Sequence, residues 1–373
     1  MSSAEYRLAS LVLRFFARVF GLLPIDRRKV VLATARLPKL DGNLAWLDAA
    51  LRERHPELRY VRLLEPYGYG LRAKLAYVGR LVRGMFHLQT ARLFIVDNAY
   101  LPIHVAPHRP ETTVVQVWHA VAALKRFGAD TARPPAEPER TFLHRNYDYV
   151  IATAEASRAP YAAAFRTPIE RVLPLGAPRT DLFFDEAAMG AARRRVLAAY
   201  PALAGRRVVL YAPTFRGRGR AKRSGPRLDG VRLREALPPD HVLVAKLHPN
   251  LGDPGATTAG FDLVVDPAVE LNDLLTVAHV LVTDYSSSVF EYALLRRPLV
   301  LLVPDLAEYE RDPGLYLDFR REMIGTQVED TAGVVDAIAA SRVDPAGYDA
   351  FIARHLGAAD GRASARFVER FLG

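Results

Sequence analysis

Leu281-Val-Thr-Asp-Tyr-Ser-Ser-Ser-Val-Phe-Glu291 is the stretch from which the fold of this chain is read. An apolar run ends at Thr283. Asp and Ser, residues that cap helices, fill the next positions, so a helix is expected from about Ser286. A strand that runs directly into a helix start is one step of a parallel α/β sheet. The free N–H groups and the dipole at such a start suit a phosphate, and Ser286, Ser287 and Ser288 add hydroxyl donors. An isolated Asp-x-Ser-Ser is more plainly read as an ordinary N-cap. Three neighbours argue for more. Glu291 stands one turn into the helix, placed to accept hydrogen bonds from ribose hydroxyls. Arg296-Arg297-Pro298 closes the helix before a buried run. Asp305-Leu-Ala-Glu-Tyr309 forms a second acidic and aromatic loop.

The same alternation extends outward. Val208–Tyr211, Val242–Lys246, Asp262–Val265, Val280–Thr283 and Leu299–Val303 are short apolar runs of the kind buried in parallel sheets. Helical patterns cover Leu271–Ala278, Ser287–Leu295 and Gly333–Ser341. An earlier series repeats the scheme with strands at Lys29–Thr34, Arg59–Leu64, Ala91–Asp97, Thr113–Val117, Tyr149–Thr153 and Val172–Pro174. Its helices cover Asn43–Arg54 and residues 71–90, the second with Leu71, Leu75, Val78, Val82 and Met85 inside and Arg72, Arg80 and Arg83 outside. A helix over Asp181–Ala204 joins the halves, and a last helix runs from about Tyr348 to Phe371. The predicted organisation is an amphipathic helix over 1–24, a Rossmann-like domain over 25–185, a second over 186–345 and a helical segment over 346–373. The architecture expected is two consecutive parallel-sheet domains with a cleft between their strand C-termini, where ligands of such sheets bind.

Composition narrows the function. Half of the 373 residues are apolar, which excludes wholesale disorder. There is no cysteine, so a disulfide scaffold, a thiolate nucleophile and a Cys-ligated metal site are excluded. The net charge of +10 suits anionic lipids, nucleic acids or phosphorylated substrates. Only six of the 51 basic residues are Lys, an Arg and Ala bias that reflects coding composition and discounts part of that charge. No apolar run reaches the ~18–20 residues of a membrane span. Arg14 and Arg18 break the N-terminal apolar stretch, so a cleaved signal is not expected, and a cytoplasmic location is. Over residues 4–23, Leu8, Leu11, Val12, Phe15, Phe16, Val19, Phe20 and Leu23 recur at helical spacing, with Arg7, Arg14 and Arg18 on the other face and Pro24 ending the pattern. Such a helix suits the inner membrane surface, or packs on its own protein or a second subunit.

Four further segments end strands on polar groups. In Lys246-Leu-His-Pro249, alternation puts Lys246 and His248 on one side, and two cations at a strand end suit a pyrophosphate; otherwise Lys246 is solvated and His248 caps the loop. Val115-Gln-Val-Trp-His-Ala120 presents His119, which can take a proton near neutral pH, or serves structure alone. The basic turn Lys125-Arg126-Phe127-Gly128 follows it. Tyr211-Ala-Pro-Thr-Phe-Arg-Gly217 carries Thr214 and Arg216 and opens an Arg- and Gly-rich loop, expected to be mobile, to Arg227. Leu175-Gly-Ala-Pro-Arg-Thr-Asp181 is a Gly/Pro turn with Arg179 and Asp181 expected to be exposed.

Taken in order, these segments resemble the CDP-glycerol glycerophosphotransferases, which build glycerol- and ribitol-phosphate polymers such as teichoic acids. The matching stretches are Gln116-Val-Trp-His-Ala120 with Lys125–Gly128, Gly176–Asp181, Tyr211–Arg216, Lys246–Pro249, Thr283–Ser287 and Asp305-Leu…Gly314-Leu-Tyr-Leu-Asp318, spread over residues 90–320. The resemblance implies a GT-B architecture and transfer of polyol phosphate from a CDP-polyol without metal or cofactor. His119 is then the base candidate, with His248 as a second catalytic candidate. Trp118, Arg179, Pro213, Thr214, Arg216, Lys246, Ser286, Ser287, Glu291 and Asp318 would serve the donor. Many members have Gly where this chain has Ala120, which bears on donor choice. The reaction implied is attack of an acceptor hydroxyl on the β-phosphorus, releasing CMP, with a lipid-linked or polymer acceptor at an anionic membrane; an oligomer is compatible. A GT-B glycosyltransferase using a nucleotide sugar keeps the fold and changes the donor. A nucleic-acid-binding protein is motivated by charge alone, since aromatics are not interleaved with the basic cluster. An inactive membrane scaffold would bind anionic liposomes and release no nucleotide.

Overall fold

The computed structural model describes residues 3–35, 38–64, 71–131, 143–216, 225, 228–247 and 258–373. The chain divides into two units, Met1–Asp181 with His355–Gly373 and Leu182–Arg354.

The first unit is built on β1 (Asp26–Thr34), β2 (Arg59–Leu64), β3 (Ala91–Val96), β4 (Thr113–Gln116), β5 (Tyr149–Ile151) and β6 (Val172–Leu173). They lie in the order β2-β1-β3-β4-β5-β6, and every neighbouring pair is parallel. Val30, Val31, Leu32 and Ala33 are all fully buried, which is why β1 reads as a continuous apolar run rather than an alternation. Helix α1 covers Ser3–Phe20, α2 Gly42–Arg54 and α3 Leu71–Thr90. Leu44, Leu47 and Leu51 of α2 pack on Val30, Leu32, Leu93, Ile95 and Val115, at the i, i+3, i+7 spacing of one helix face.

The two amphipathic helices depart from their expected faces. On α1, Tyr6, Ala9, Ser10, Leu13 and Ala17 are buried, whereas Leu8 is 65% exposed, Leu11 64% and Phe15 60%. Small residues let the helix approach the protein closely, and its bulky stripe faces outward. Arg14 points inward enough for its Nε to donate to the Val105 carbonyl at 2.9 Å. On α3 the buried stripe is Leu81, Met85 and Leu88, while Val78, expected inside, is exposed. Side chains 71–75 lie outside the described residues.

The second unit carries β7 (Arg207–Tyr211), β8 (His241–Ala245), β9 (Leu263–Val264), β10 (Ala278–Thr283), β11 (Leu299–Leu302) and β12 (Thr326–Val328). Their order is β12-β11-β10-β7-β8-β9, again parallel throughout. The edge strand β12 was not expected, because three residues containing a Thr and a Gln make no apolar run. In each sheet the strand order reverses beside the first strand, between β1 and β3 and between β7 and β10. Such switch points are where parallel sheets open a crevice at the strand C-termini.

Two expected helices are broken. Over Asp181–Ala204 there is a 3-10 segment to Phe184, a helix Glu186–Ala199 and a second 3-10 turn at Pro201–Leu203. Asp185 starts the helix by accepting from Ala188 N–H at 2.9 Å. The C-terminal segment is two helices, Pro345–His355 and Ala363–Leu372, separated at Gly361 with φ +80°. The first packs in the second unit, with Phe351 stacked on Phe290 and the Tyr348 hydroxyl on the Arg297 carbonyl. The second returns to the first unit, where Phe367, Val368 and Leu372 complete the core under α2.

Candidate functional site

In the first unit the strand ends converge on His119. After Gln116 the chain turns at Trp118, whose φ of +49° is uncommon for a bulky residue and needs support from its surroundings. Three hydrogen bonds supply it. The Trp118 N–H donates to Gln116 Oε1 at 2.8 Å, and Asn43 Nδ2 donates to the Val117 and Trp118 carbonyls at 3.1 and 2.8 Å. The indole stacks on Phe127 at 4.7 Å between ring centres and meets Phe165 edge-on at 5.1 Å. Trp118 is therefore a buried anchor of the turn, 8% exposed. Beyond it, Tyr161 Oη donates to the Ala120 carbonyl at 3.2 Å and Thr153 Oγ1 to that of Val121. His119 is partly exposed, with Nδ1 3.4 Å from the Asp97 carbonyl at the end of β3. An Nδ1–H in that position leaves the lone pair on Nε2.

Behind the turn lies a buried polar network. The Tyr147 hydroxyl is shared by Gln116 Nε2 at 3.1 Å, His104 Nε2 at 2.9 Å and His144 Nδ1 at 3.2 Å. Burial pushes the His104 imidazole down to about 3, and burial reinforced by His104 holds His144 well below its ordinary range. Both rings are neutral at physiological pH, and the Tyr147 hydroxyl is pushed up by burial and stays protonated.

The Gly176–Asp181 turn joins the same edge. Arg179 N–H donates to Asn43 Oδ1 at 3.1 Å, and the Arg179 side chain lies over Gly42, where an added Cβ would stand 3.5 Å from its Cδ. Arg179 is half-buried and Asp181, expected to be exposed, is buried. The reason is that Asp181 caps the returning helix, accepting from Ala363 and Ser364 N–H at 2.9 and 2.8 Å.

In the second unit the switch point between β7 and β10 holds a charge cluster. Thr214 N–H and Oγ1 donate to the two oxygens of Asp284 at 2.8 and 3.0 Å. Arg216 bridges Asp284, at 2.7 Å from Nη1, and Asp305, at 2.7 Å from Nε and 3.2 Å from Nη2. Its guanidinium stands 4.9 Å from the centres of both Tyr285 and Tyr309, which stack at 3.8 Å, and Tyr285 donates to Asp305 at 3.1 Å. Burial alone would lower the Arg216 pKa, but the Asp305 and Asp284 carboxylates outweigh it and raise it. Burial would raise Asp305, and the Arg216 hydrogen bond and charge hold it below the ordinary carboxylate range. Arg216 was expected to meet a pyrophosphate; its charge is instead compensated within the protein.

The other expected donor residues take varied places. Pro213 is buried at the head of the Thr214 turn. Lys246 Nζ donates to the Asp266 and Pro267 carbonyls at 2.9 and 2.8 Å, so the ammonium closes the loop after β9. The helix after β10 is Ser288–Ala293, shorter than expected. Ser286 and Ser287 precede it, half-buried, with Ser286 Oγ 2.8 Å from Ser288 Oγ. Glu291 is 1% exposed, so it lies inside the unit rather than on a surface open to a ribose. Asp318 caps the short helix Phe319–Glu322 by accepting from Arg321 N–H at 3.3 Å. His248 and positions 217–224, 226 and 227 of the Arg/Gly loop lie outside the described residues. Among those described, no three His, Asp or Glu are grouped to hold a metal ion. Asp284, expected to cap the following helix, instead accepts from Thr214 and Arg216. The sequence assigns no site role to Asn43, Gln116 and Tyr147. Asn43 reads as an ordinary residue near a helix start, and only its contacts distinguish it.

The profile of the family described as CDP-Glycerol:Poly(glycerophosphate) glycerophosphotransferase matches residues 15–373. The chain belongs to that family. The teichoic acid ribitol-phosphate primase of Bacillus spizizenii (strain ATCC 23059 / NRRL B-14472 / W23) is 35% identical over 365 residues, covering 94% of this chain and 93% of that protein. The teichoic acid glycerol-phosphate primase of Bacillus subtilis (strain 168) is 27% identical over 264 residues, covering 69% of this chain and 68% of the relative. Among solved structures, a variant of the wall teichoic acid polymerase TagF soaked with CDPG aligns with a TM-score of 0.74 at 19% identity over 100% of this chain and 98% of its own. This glycerophosphotransferase-family chain thus has the GT-B-like fold of two parallel-sheet α/β units.

Proposed function

We propose that this chain transfers a polyol phosphate from a CDP-polyol to a hydroxyl of a membrane-associated acceptor, releasing CMP, in synthesis of a teichoic-acid-type polymer. The observation that carries this reading is His119, held on a pinned turn at the C-terminal edge of the first sheet, in a chain matched by the family profile nearly end to end. His119 Nε2 takes the proton of the acceptor hydroxyl. The acceptor oxygen bonds to the β-phosphorus as the bond from that phosphorus to the bridging oxygen breaks, and CMP leaves with the bond's electron pair. Thr214, Lys246, His248 and Ser286–Ser287 are the candidates for holding the nucleotide. Positioning and charge stabilisation account for the rate of such a transfer.

The donor is CDP-ribitol. Support comes from the greater identity and coverage of the ribitol-phosphate primase, 35% against 27% for the glycerol-phosphate primase. The acceptor is met at an anionic membrane surface through α1; no described helix is long and apolar enough to cross a membrane.

Nucleotide release, as CMP or UDP, is measured from CDP-ribitol, CDP-glycerol and UDP- and CMP-sugars in the presence of a lipid-linked acceptor. Release from CDP-ribitol, abolished by His119→Ala with donor affinity near normal, is the expected result. Release from a nucleotide sugar alone overturns the substrate class. Substantial turnover in the His119 variant removes that residue as the base.

A further inference from the structure

We propose that Asn43 is a positioning residue that couples the His119 turn to the Arg179 loop, so that one amide sets the placement of both. The inference rests on the transferase reading for its kinetic consequence, while the coupling itself stands on geometry. The Asn43 side chain is 3% exposed and uses both ends. Its Nδ2 donates to two successive carbonyls, Val117 at 3.1 Å and Trp118 at 2.8 Å. Its Oδ1 accepts the Arg179 N–H at 3.1 Å. The three partners belong to loops after two different strands, β4 and β6, and Asn43 itself stands in the first turn of α2, after β1. The amide thus links the two loops directly, by side-chain hydrogen bonds to each.

Only an amide satisfies this arrangement. Two carbonyls require two N–H donors on one nitrogen, and an amide N–H requires an acceptor on the other arm. A carboxylate of identical shape keeps the acceptor and sets an oxygen against the two carbonyls. The turn it holds is not relaxed by itself, because Trp118 stands at φ +49°. Release of the Val117 and Trp118 carbonyls therefore lets the turn move toward ordinary dihedrals and carries His119 with it. Gly42 precedes Asn43 at φ +51°, a backbone conformation that favours glycine, with the Arg179 side chain in van der Waals reach of the Cβ position. A displacement of a reacting group by about 1 Å costs on the order of 100-fold in rate.

The experiment uses the full chain in two steps. Trp46 and Trp118 are its two tryptophans, so Trp46→Phe leaves Trp118 as a single emitter inside the turn. In that background, Asn43→Asp and Asn43→Ala are expected to shift and requench Trp118 emission, with far-UV circular dichroism unchanged. Unchanged emission in both variants overturns the coupling, whether or not any donor is turned over. In the second step CMP release from CDP-ribitol is followed. Asn43→Asp, which retains the acceptor for Arg179, is expected to lower kcat about 100-fold with donor KM within threefold. Asn43→Ala, which frees both loops, is expected to lower kcat similarly and raise KM as well. A purely structural residue would lower the unfolding midpoint and leave kcat of the folded fraction intact, and that result overturns the proposal. A wild-type chain silent toward every donor defeats the transferase reading, and the emission arm then decides the coupling alone.

Discussion

His104 shows what burial does to a single residue. Its ring is fully enclosed, its Nε2 is bonded to Tyr147, and its pKa lies near 3 against 6.5 in an unfolded chain. The sign follows from proton counting. Between pH 6.5 and 3 the unfolded state binds a proton that the folded state refuses, so stability is complete above 6.5 and falls as the pH drops through that window. At pH 5 the loss from His104 is about 2 kcal/mol. His144 acts in the same direction. Urea unfolding followed by tryptophan emission, both indoles being in the first unit, is expected to show a lower midpoint at pH 5 than at 7.5. His104→Gln is expected to remove close to one proton from that dependence. An identical pH slope in the variant would mean that His104 titrates normally when folded.

At the scale of the element, two strand-end loops are locked by one side chain. The β7 loop carries Thr214 and Arg216, and the β10 loop carries Asp284 and Tyr285. Arg216 is about 10% exposed at its side chain, Asp284 about 1%. Removing the cation leaves a buried carboxylate without its counter-charge, which costs about 3–5 kcal/mol. Arg216→Ala is therefore expected to unfold the second unit in far less denaturant, as read by circular dichroism. Arg216→Lys is expected to recover little, because an ammonium cannot bridge two carboxylates and lie against two rings as the planar guanidinium does. A midpoint unchanged in Arg216→Ala would show that the cluster contributes no net stability.

At the scale of the whole molecule, the outward stripe of α1 sets how the protein meets a surface. Leu8, Leu11, Phe15 and Val19 fall within an arc of about 80° at helical geometry, with Arg7 and Arg18 at its edge. Burying a leucine or phenylalanine in an apolar environment contributes about 1.5–3 kcal/mol each. In flotation with phosphatidylglycerol vesicles, Leu11→Asp with Phe15→Asp is expected to cut membrane binding at least tenfold. Phosphatidylcholine vesicles are expected to bind the unaltered chain weakly. Equal flotation of variant and parent would assign the stripe to another partner.

The sequence pattern marked the parallel α/β class and eleven of the twelve described strands, because strands buried on both faces form short apolar runs such as Val30–Ala33 and Val280–Val282, whereas the order of the strands within each sheet came only with the tertiary structure. It also located His119, Thr214 and Ser286–Ser287 at strand ends, where a run of apolar residues gives way to polar ones. Tertiary structure alone decided what those polar residues do. Arg216 and Lys246 read as cations for a pyrophosphate and Asp181 as exposed, and each meets a partner within the protein: Asp305 is 89 residues from Arg216, Asp266 is 20 from Lys246, and Ala363 is 182 from Asp181. Trp118, which the resemblance assigns to the donor, is a buried anchor of its turn. The face that α1 buries follows from close approach through Ala9, Ser10 and Ala17, which hydrophobicity does not rank above Leu and Phe. Asn43 carries no local signal at all, because its role is the sum of three hydrogen bonds to residues 74, 75 and 136 positions away. Periodicity records which face of an element is buried in bulk; the pairing of single polar atoms is fixed only when the strand ends meet.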